Sequence, residues 1–147
     1  MFKNLFSKST PAPDSSEPDP AHLAVAALFV EAARADENYD EREKALIDKS
    51  LAGMFSIAAE DAAALRAAGE KAQEGALDLQ RFTRVAKSLP IAEKISFIEK
   101  LWEVVLSDGE RDPYEDTLIR SICGLIYVDD RESGAARVRA EARLAGG

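Results

Sequence analysis

Two short stretches of the chain concentrate carboxylates. Asp36, Glu37, Asp40, Glu41 and Glu43 fall within residues 36–43, with Arg42 as the only base. Asp108, Glu110, Asp112, Glu115 and Asp116 fall within residues 108–116, with Arg111 as the only base. Each window carries a net −4, which together equals the −8 of the whole chain. An Asp followed by acids four and seven residues on supplies hard oxygen ligands along a short loop, the chemistry that Ca²⁺ or Mg²⁺ requires. The candidate ligands are therefore Asp36, Asp40 and Glu43 in the first stretch and Asp108, Asp112 and Glu115 in the second. Neither stretch is an EF-hand. Glu41 and Pro113 occupy the place of its turn glycine, and Ile47 and Ile119 that of its bidentate glutamate.

A second reading competes for the same residues. Asp40 and Glu43, like Asp112 and Glu115, have capping-box spacing, in which the Asp accepts from the amide three residues on and the Glu reaches back. Pro113 at the first helical position and the extra acids Glu41 and Asp116 suit the positive end of a helix dipole. Capping leaves Asp36 and Asp108 unexplained, because each follows a helical pattern, where the dipole disfavours negative charge. Two carboxylates about 4 Å apart repel by roughly 4 kcal/mol at an effective dielectric near 20. The acids therefore either gather around a cation or splay into water.

The elements that hold these acids read as helical from Asp19 onward. Asp19-Pro20 is an N-cap with proline at the first position. Helices are expected over about 20–35 (Leu23, Ala26, Val30 and Ala33 inward), 40–55 (Leu46, Ile47, Leu51, Met54 and Phe55 inward) and 59–73. Further helices are expected over about 78–88, 90–107 (Ile91, Ile95, Ile98, Trp102 and Val105 inward) and 112–127, the last with Leu118, Ile119, Ile122, Cys123 and Ile126 inward. A seventh begins near Asp130 and carries Val138 and Leu144. No strand pattern is present. Displacing the chain by 72 residues places Asp36 on Asp108, Asp40 on Asp112, Glu43 on Glu115, Ile47 on Ile119, Phe55 on Tyr127 and Glu60 on Glu132 without a gap. The expected fold class is all-α: about seven helices forming two pseudo-symmetric helical hairpins packed as a bundle, with both acidic junctions at one end.

Composition narrows the function classes. One cysteine (Cys123) and one histidine (His22) exclude an internal disulfide, multi-cysteine or multi-histidine metal sites, and most nucleophilic triads. Cys123 reads as a buried inert thiol, Trp102 as core, and Arg137, Arg139 and Arg143 as a basic face that is solvated or pairs with acids of another chain. The net charge of −8 disfavours nucleic acid as a partner. No apolar run approaches a membrane span and no signal-peptide pattern opens the chain, so the expected location is cytoplasmic. No phosphate-binding loop, metalloprotease helix or nucleophile elbow supports an enzyme. Residues 8–20 read as a Pro-, Ser- and acid-rich disordered linker. Ahead of it Phe2, Leu5 and Phe6 stand at i, i+3, i+4 beside Lys3 and Lys8, either a frayed tail or a foot that docks on a partner or a membrane surface.

The duplicated motif, RADENYDEREKALI at 34–47 and LSDGERDPYEDTLI at 106–119, resembles the TerB-like family, named after tellurite-resistance protein B. The resemblance covers about residues 22–140 and divides the chain into a foot and linker over 1–20 and a helical domain over 21–145. It implies a bundle of about seven helices with pseudo-two-fold symmetry, and a divalent cation held by Asp36, Asp40, Glu43, Asp108, Asp112 and Glu115. Glu37 stands where the pattern often has glycine, as Gly109 does in the second copy, so the half-sites are not identical. The family's links are to stress response and membrane-associated complexes. The leading expectation is a non-enzymatic module that binds a divalent cation, with Ca²⁺ foremost, and presents the result to a protein partner. The alternative is a metal-independent interaction module that docks a basic partner through its acidic end.

Overall fold

A computed structural model describes residues 18–35, 39–107 and 113–146. Among these residues the chain forms seven α-helices and no strand: α1 (Pro20–Arg34), α2 (Glu41–Phe55), α3 (Ala59–Gly75), α4 (Gln80–Ala86), α5 (Ile91–Leu106), α6 (Pro113–Ile126) and α7 (Asp130–Gly146). The Asp19 carboxylate accepts hydrogen bonds from the Ala21 and His22 amides, at 2.8 and 3.4 Å, so the N-cap at Asp19 is formed as its sequence suggests. Helix 4 is shorter than expected. Asp78 accepts from the Gln80 amide at 2.9 Å, an Asx-type bond that holds the chain in a turn before α4 begins.

The first helix is the centre of the molecule. Ala24–Val30, Ala32 and Ala33 are all buried, because α2, α3, α4, α5 and α6 each pack against it. An apolar stripe therefore understates α1, whose small alanines let neighbours approach on every side; Leu23, on the expected stripe, is only half-buried. Its closest neighbour is α3. A Cβ placed on Gly69 would lie 2.9 Å from the Ala26 carbonyl carbon and from the Ala26 Cβ, and 3.0 Å from the Ala27 nitrogen. Phe29 of α1 meets Phe97 of α5 edge to face, with ring centroids 5.1 Å apart, at the contact between the two halves.

The repeat is larger than two hairpins. Helices α1, α2 and α3 correspond to α5, α6 and α7, with α4 as the connector. Contacts of α1 with α2 and α3 recur as α5 with α6 and α7, and α1 against α6 recurs as α5 against α2. Exchange of the halves maps one set of contacts onto the other, as a pseudo-two-fold arrangement requires. Buried positions agree at a displacement of 72 residues through α1 and most of α2: Val25 with Phe97, Phe29 with Leu101, Glu43 with Glu115, Ile47 with Ile119 and Leu51 with Cys123.

The displacement then falls to 71, which corrects the gapless alignment. Buried Ala62, Leu65 and Gly69 of α3 match buried Ser133, Ala136 and Ala140 of α7. The left-handed residues that end α2 and α6 are Ser56, at φ 54°, and Tyr127, at φ 68°. Phe55 therefore pairs with Ile126 and not with Tyr127, and Glu60 with Arg131 and not with Glu132. The difference arises because α6 is one residue shorter than α2 between their last shared core position and their caps.

Several large apolar side chains lie exposed, among them Ile91, expected to face inward. Val138 and Leu144 are exposed, and α7 buries Ser133, Ala136 and Ala140 in their place. Ile91 is exposed at the first turn of α5, ahead of the buried face that starts at Lys94 and Phe97. Small residues carry the contact of α7 with α5, so hydrophobic bulk is a poor guide to the inner face of that helix.

Candidate functional site

Asp36, Asp108 and Asp112 lie outside the described residues; Asp40, Glu43 and Glu115 lie within them. Asp40 is the exposed N-cap of α2, and its carboxylate accepts from the Glu43 amide at 2.9 Å. Half of the capping-box geometry is thus formed at the first junction. Glu43 itself is not on the surface. It is only 2% exposed, and its repeat partner Glu115 only 3%. Glutamate is rarely this buried, because withdrawing a carboxylate from water carries a large desolvation cost. The duplicated sequence repeats this costly placement in the first turn of both α2 and α6, where the positive end of the helix dipole favours a negative group.

The helices that flank the two junctions are in contact. The Arg42 guanidinium, in the first turn of α2, donates from Nη1 to the Ser107 carbonyl oxygen at 2.8 Å. Ser107 caps α5 and immediately precedes Asp108. The start of α2 therefore touches the end of α5. Among the described residues no group of three or more His, Cys, Asp or Glu side chains is placed to hold a metal ion. Half of the six candidate ligands are outside that set.

A polar brace that the sequence did not announce fixes the first junction. The Tyr39 hydroxyl donates to Glu70 of α3, and the Tyr39 ring lies under the cations of Arg34 and Lys44, at 5.0 and 5.2 Å. Arg66 of α3 bridges Asp48 of α2 at 2.6 Å and Glu70 at 2.8 Å. Burial, then the bond to Glu70 and its charge, push the Tyr39 phenol well above its ordinary range. Burial alone would raise the Glu70 carboxyl. Hydrogen bonds from Tyr39 and Arg66, with the charges of Arg66 and Lys44, outweigh it and hold the carboxyl below its usual value. Only the four-residue spacing of Arg66 and Glu70 was available as a local signal.

The basic face of α7 finds acids within the same chain. Arg139 pairs with Glu99 at 2.6 Å, and Arg143 pairs with Glu99 at 2.6 Å and with Glu103, binding α7 to α5. Arg139 and Arg143 are thus engaged by acids of their own chain. Matched four-residue spacings, Glu99 to Glu103 and Arg139 to Arg143, are the signal that marks two helices paired along one edge. Burial tends to raise the Glu99 carboxyl, but the bonds and charges of Arg139 and Arg143 hold it low. Carboxyls held low in the folded state contribute stability above their unfolded value, about 4.3, and lose it as pH falls through the folded value. Urea midpoints should therefore drop between pH 5 and pH 3, and Glu70→Gln with Glu99→Gln should flatten that drop while lowering the midpoint at pH 7.

Trp102 and Cys123 are core residues. The Trp102 indole donates to the Ser133 hydroxyl at 3.2 Å, and Arg137 stands 5.8 Å from its ring. Burial pushes the Cys123 thiol up, partly offset by a Ser133 hydrogen bond, so the group is unsuited to nucleophilic work. His22 stacks on Phe55, with ring centroids 3.8 Å apart, and ties the start of α1 to the end of α2. No helix among the described residues is long and apolar enough to cross a membrane.

Fold and site together define a class: an internally duplicated, all-α bundle with a buried glutamate in the first turn of α2 and again of α6. The family model described as Tellurite resistance protein TerB matches residues 22–138, most of the chain. The chain belongs to the TerB family. No curated protein matches it, and no solved structure does.

Proposed function

We propose that this chain is a non-enzymatic helical module that binds a divalent cation, with Ca²⁺ foremost, at its paired acidic junctions, within a tellurite-resistance-type stress response. The observation that carries the reading is the contact of Arg42 with the Ser107 carbonyl, which joins the start of α2, within the first stretch, to the end of α5, just ahead of the second. The buried Glu43 and Glu115 carboxylates add support, since oxygen donors withdrawn from water suit a hard cation. Asp40 commits one oxygen to its cap and keeps the other for a ligand role. Asp36, Asp108 and Asp112 complete the proposed donor set. The protein's task is then to hold preformed carboxylates on the rigid starts of two helices, so that binding a cation relieves repulsion and biases how this end meets a protein partner.

Metal dependence separates this reading from its alternative, a dock for a basic partner, which the guanidinium of Arg42 held on the Ser107 carbonyl favours. Metal-stripped protein should gain several degrees in Tm with Ca²⁺, because a ligand at about 100 times its Kd stabilises by about 2.7 kcal/mol. Asp36→Asn with Asp108→Asn should abolish the gain. The absence of any shift with Ca²⁺, Mg²⁺, Mn²⁺ or Zn²⁺ at millimolar concentration would overturn cation binding. Partner affinity that weakens steeply with salt and ignores metal would then identify the docking module.

A further inference from the structure

The pseudo-two-fold arrangement is broken at one place. Helix α4 packs on α1 and α6, and among the described residues no helix fills the equivalent position, on α5 and α2. A cavity of about 570 Å³ lies there, between Leu46, Lys49, Ser50 and Gly53 of α2, residues of α5 from Ala92 to Glu103, and Arg143 of α7. Small-molecule sites have volumes of about 300–1,000 Å³. The lining differs in kind from its counterpart. The repeat partners of Ser50, Ser96 and Lys100 are Ile122, Ala24 and Leu28, all apolar and buried.

We propose that this groove is a binding site for a small phosphomonoester, its dianion held by Lys49, Lys100 and the Ser50 hydroxyl. The charges select an anion. Glu99 and Glu103 are already committed to Arg139 and Arg143 of α7. Lys49 on α2 and Lys100 on α5 pair with no carboxylate among the described residues. The lining thus keeps both lysine charges uncompensated in a chain of net −8. A phosphomonoester carries about −1.5 to −2 at pH 7 and matches the two lysines, where a carboxylate offers half that charge.

Ser50 supplies an independent observation. It is 4% exposed and lines the cavity, yet its side chain has no hydrogen-bond partner among the described residues. A hydroxyl within a helix can bond back to a carbonyl one turn earlier, as Thr83 does to Leu79, and Ser50 makes no such bond. Withdrawing a hydroxyl from water without a partner is unfavourable, and an oxyanion in the groove offsets this by accepting from the Ser50 Oγ. Ser96 adds a second hydroxyl from α5. Leu46 and Ile95, both half-buried in the same lining, offer apolar walls to the organic body of the ester.

The test is an amide-shift titration of the metal-free full chain with phenyl phosphate, beside benzoate and phenol. The proposal expects saturable shifts at Ser50, Gly53, Ser96 and Lys100 with millimolar phenyl phosphate, weaker binding of benzoate and none of phenol. Lys49→Gln with Lys100→Gln should weaken phenyl phosphate about tenfold or more, the loss expected when charge-assisted bonds are removed. Gly53→Leu should block the groove and still fold, since an added Cβ meets nothing within 4 Å and leucine favours a helix over glycine. Absence of saturable shifts, or shifts spread equally over the basic residues of α4, would overturn the proposal. So would benzoate binding as tightly as phenyl phosphate, or an affinity unchanged in either variant. Metal plays no part in the titration, so this site and the cation reading fail separately.

Discussion

Phe29→Ala is expected to lower the unfolding free energy by about 3–5 kcal/mol, a large share of the roughly 5–15 kcal/mol that holds a domain of this size. Phe29 is fully buried in the central helix and meets Phe97 edge to face across the contact between the halves. Truncation removes the ring's transfer free energy and leaves a cavity between α1 and α5, where neither backbone can close the gap without disturbing the other half. Chemical denaturation at pH 7 measures the loss directly. The pair should also couple: Phe29→Ala with Phe97→Ala should cost less than the sum of the single changes, by about 0.5–1.5 kcal/mol, the extra worth of an aromatic contact. Strict additivity would show that the two rings act as separate fillers and that the halves do not lean on this contact.

Gly69→Val should be comparably damaging for the opposite reason. A Cβ at this position stands 2.9 Å from the Ala26 carbonyl carbon and 3.0 Å from the Ala27 nitrogen, and backbone atoms in the middle of a helix cannot yield as a flexible side chain can. Alanine gains up to about 1 kcal/mol of helix propensity and loses about 1–3 kcal/mol to overpacking. Valine adds two methyl groups to the same collision, so its loss should exceed that of alanine. The repeat supplies a control. Ala140 is the counterpart in α7, is fully buried, and already carries a Cβ, so α5 and α7 cross with room for one. Ala140→Gly should therefore cost only about 1 kcal/mol. A Gly69→Val protein as stable as wild type would mean that α1 and α3 can slide apart freely.

The fold was largely legible because the chain states it twice. A pattern shared by two halves is hard to produce by chance, and the helix starts at Asp19 and Asp40 are written in capping chemistry that depends only on near neighbours. Legibility failed where side chains were too small to carry a pattern. The stripe on α1 named four residues of a helix that is buried nearly all round. The register of α3 against α7 sets one leucine, Leu65, against an alanine and otherwise rests on alanines, a glycine and a serine, which hydrophobic bulk cannot align, so the pattern does not reveal the change from 72 to 71. At the site, the capping reading located Asp40 correctly and gave no hint that Glu43 and Glu115 turn inward. The brace of Tyr39, Glu70, Arg66 and Asp48 joins residues up to 31 positions apart and has no local signature beyond one four-residue pair.

The left-handed residues Ser56 and Tyr127 bear on how the two copies were able to diverge. Loss of one residue inside a continuous helix turns everything beyond it by about 100° and swings the inner face out of the core. At a left-handed cap the direction of the chain is set anew, so the shorter α6 gives up one residue of helix and α7 still presents Ser133, Ala136 and Ala140 inward. The joints after Phe55 and Ile126 are thus expansion joints, where insertions and deletions leave the bundle intact. The acidic junctions have no such freedom, because their carboxylates sit at fixed steps from helix starts that both halves keep in the same register.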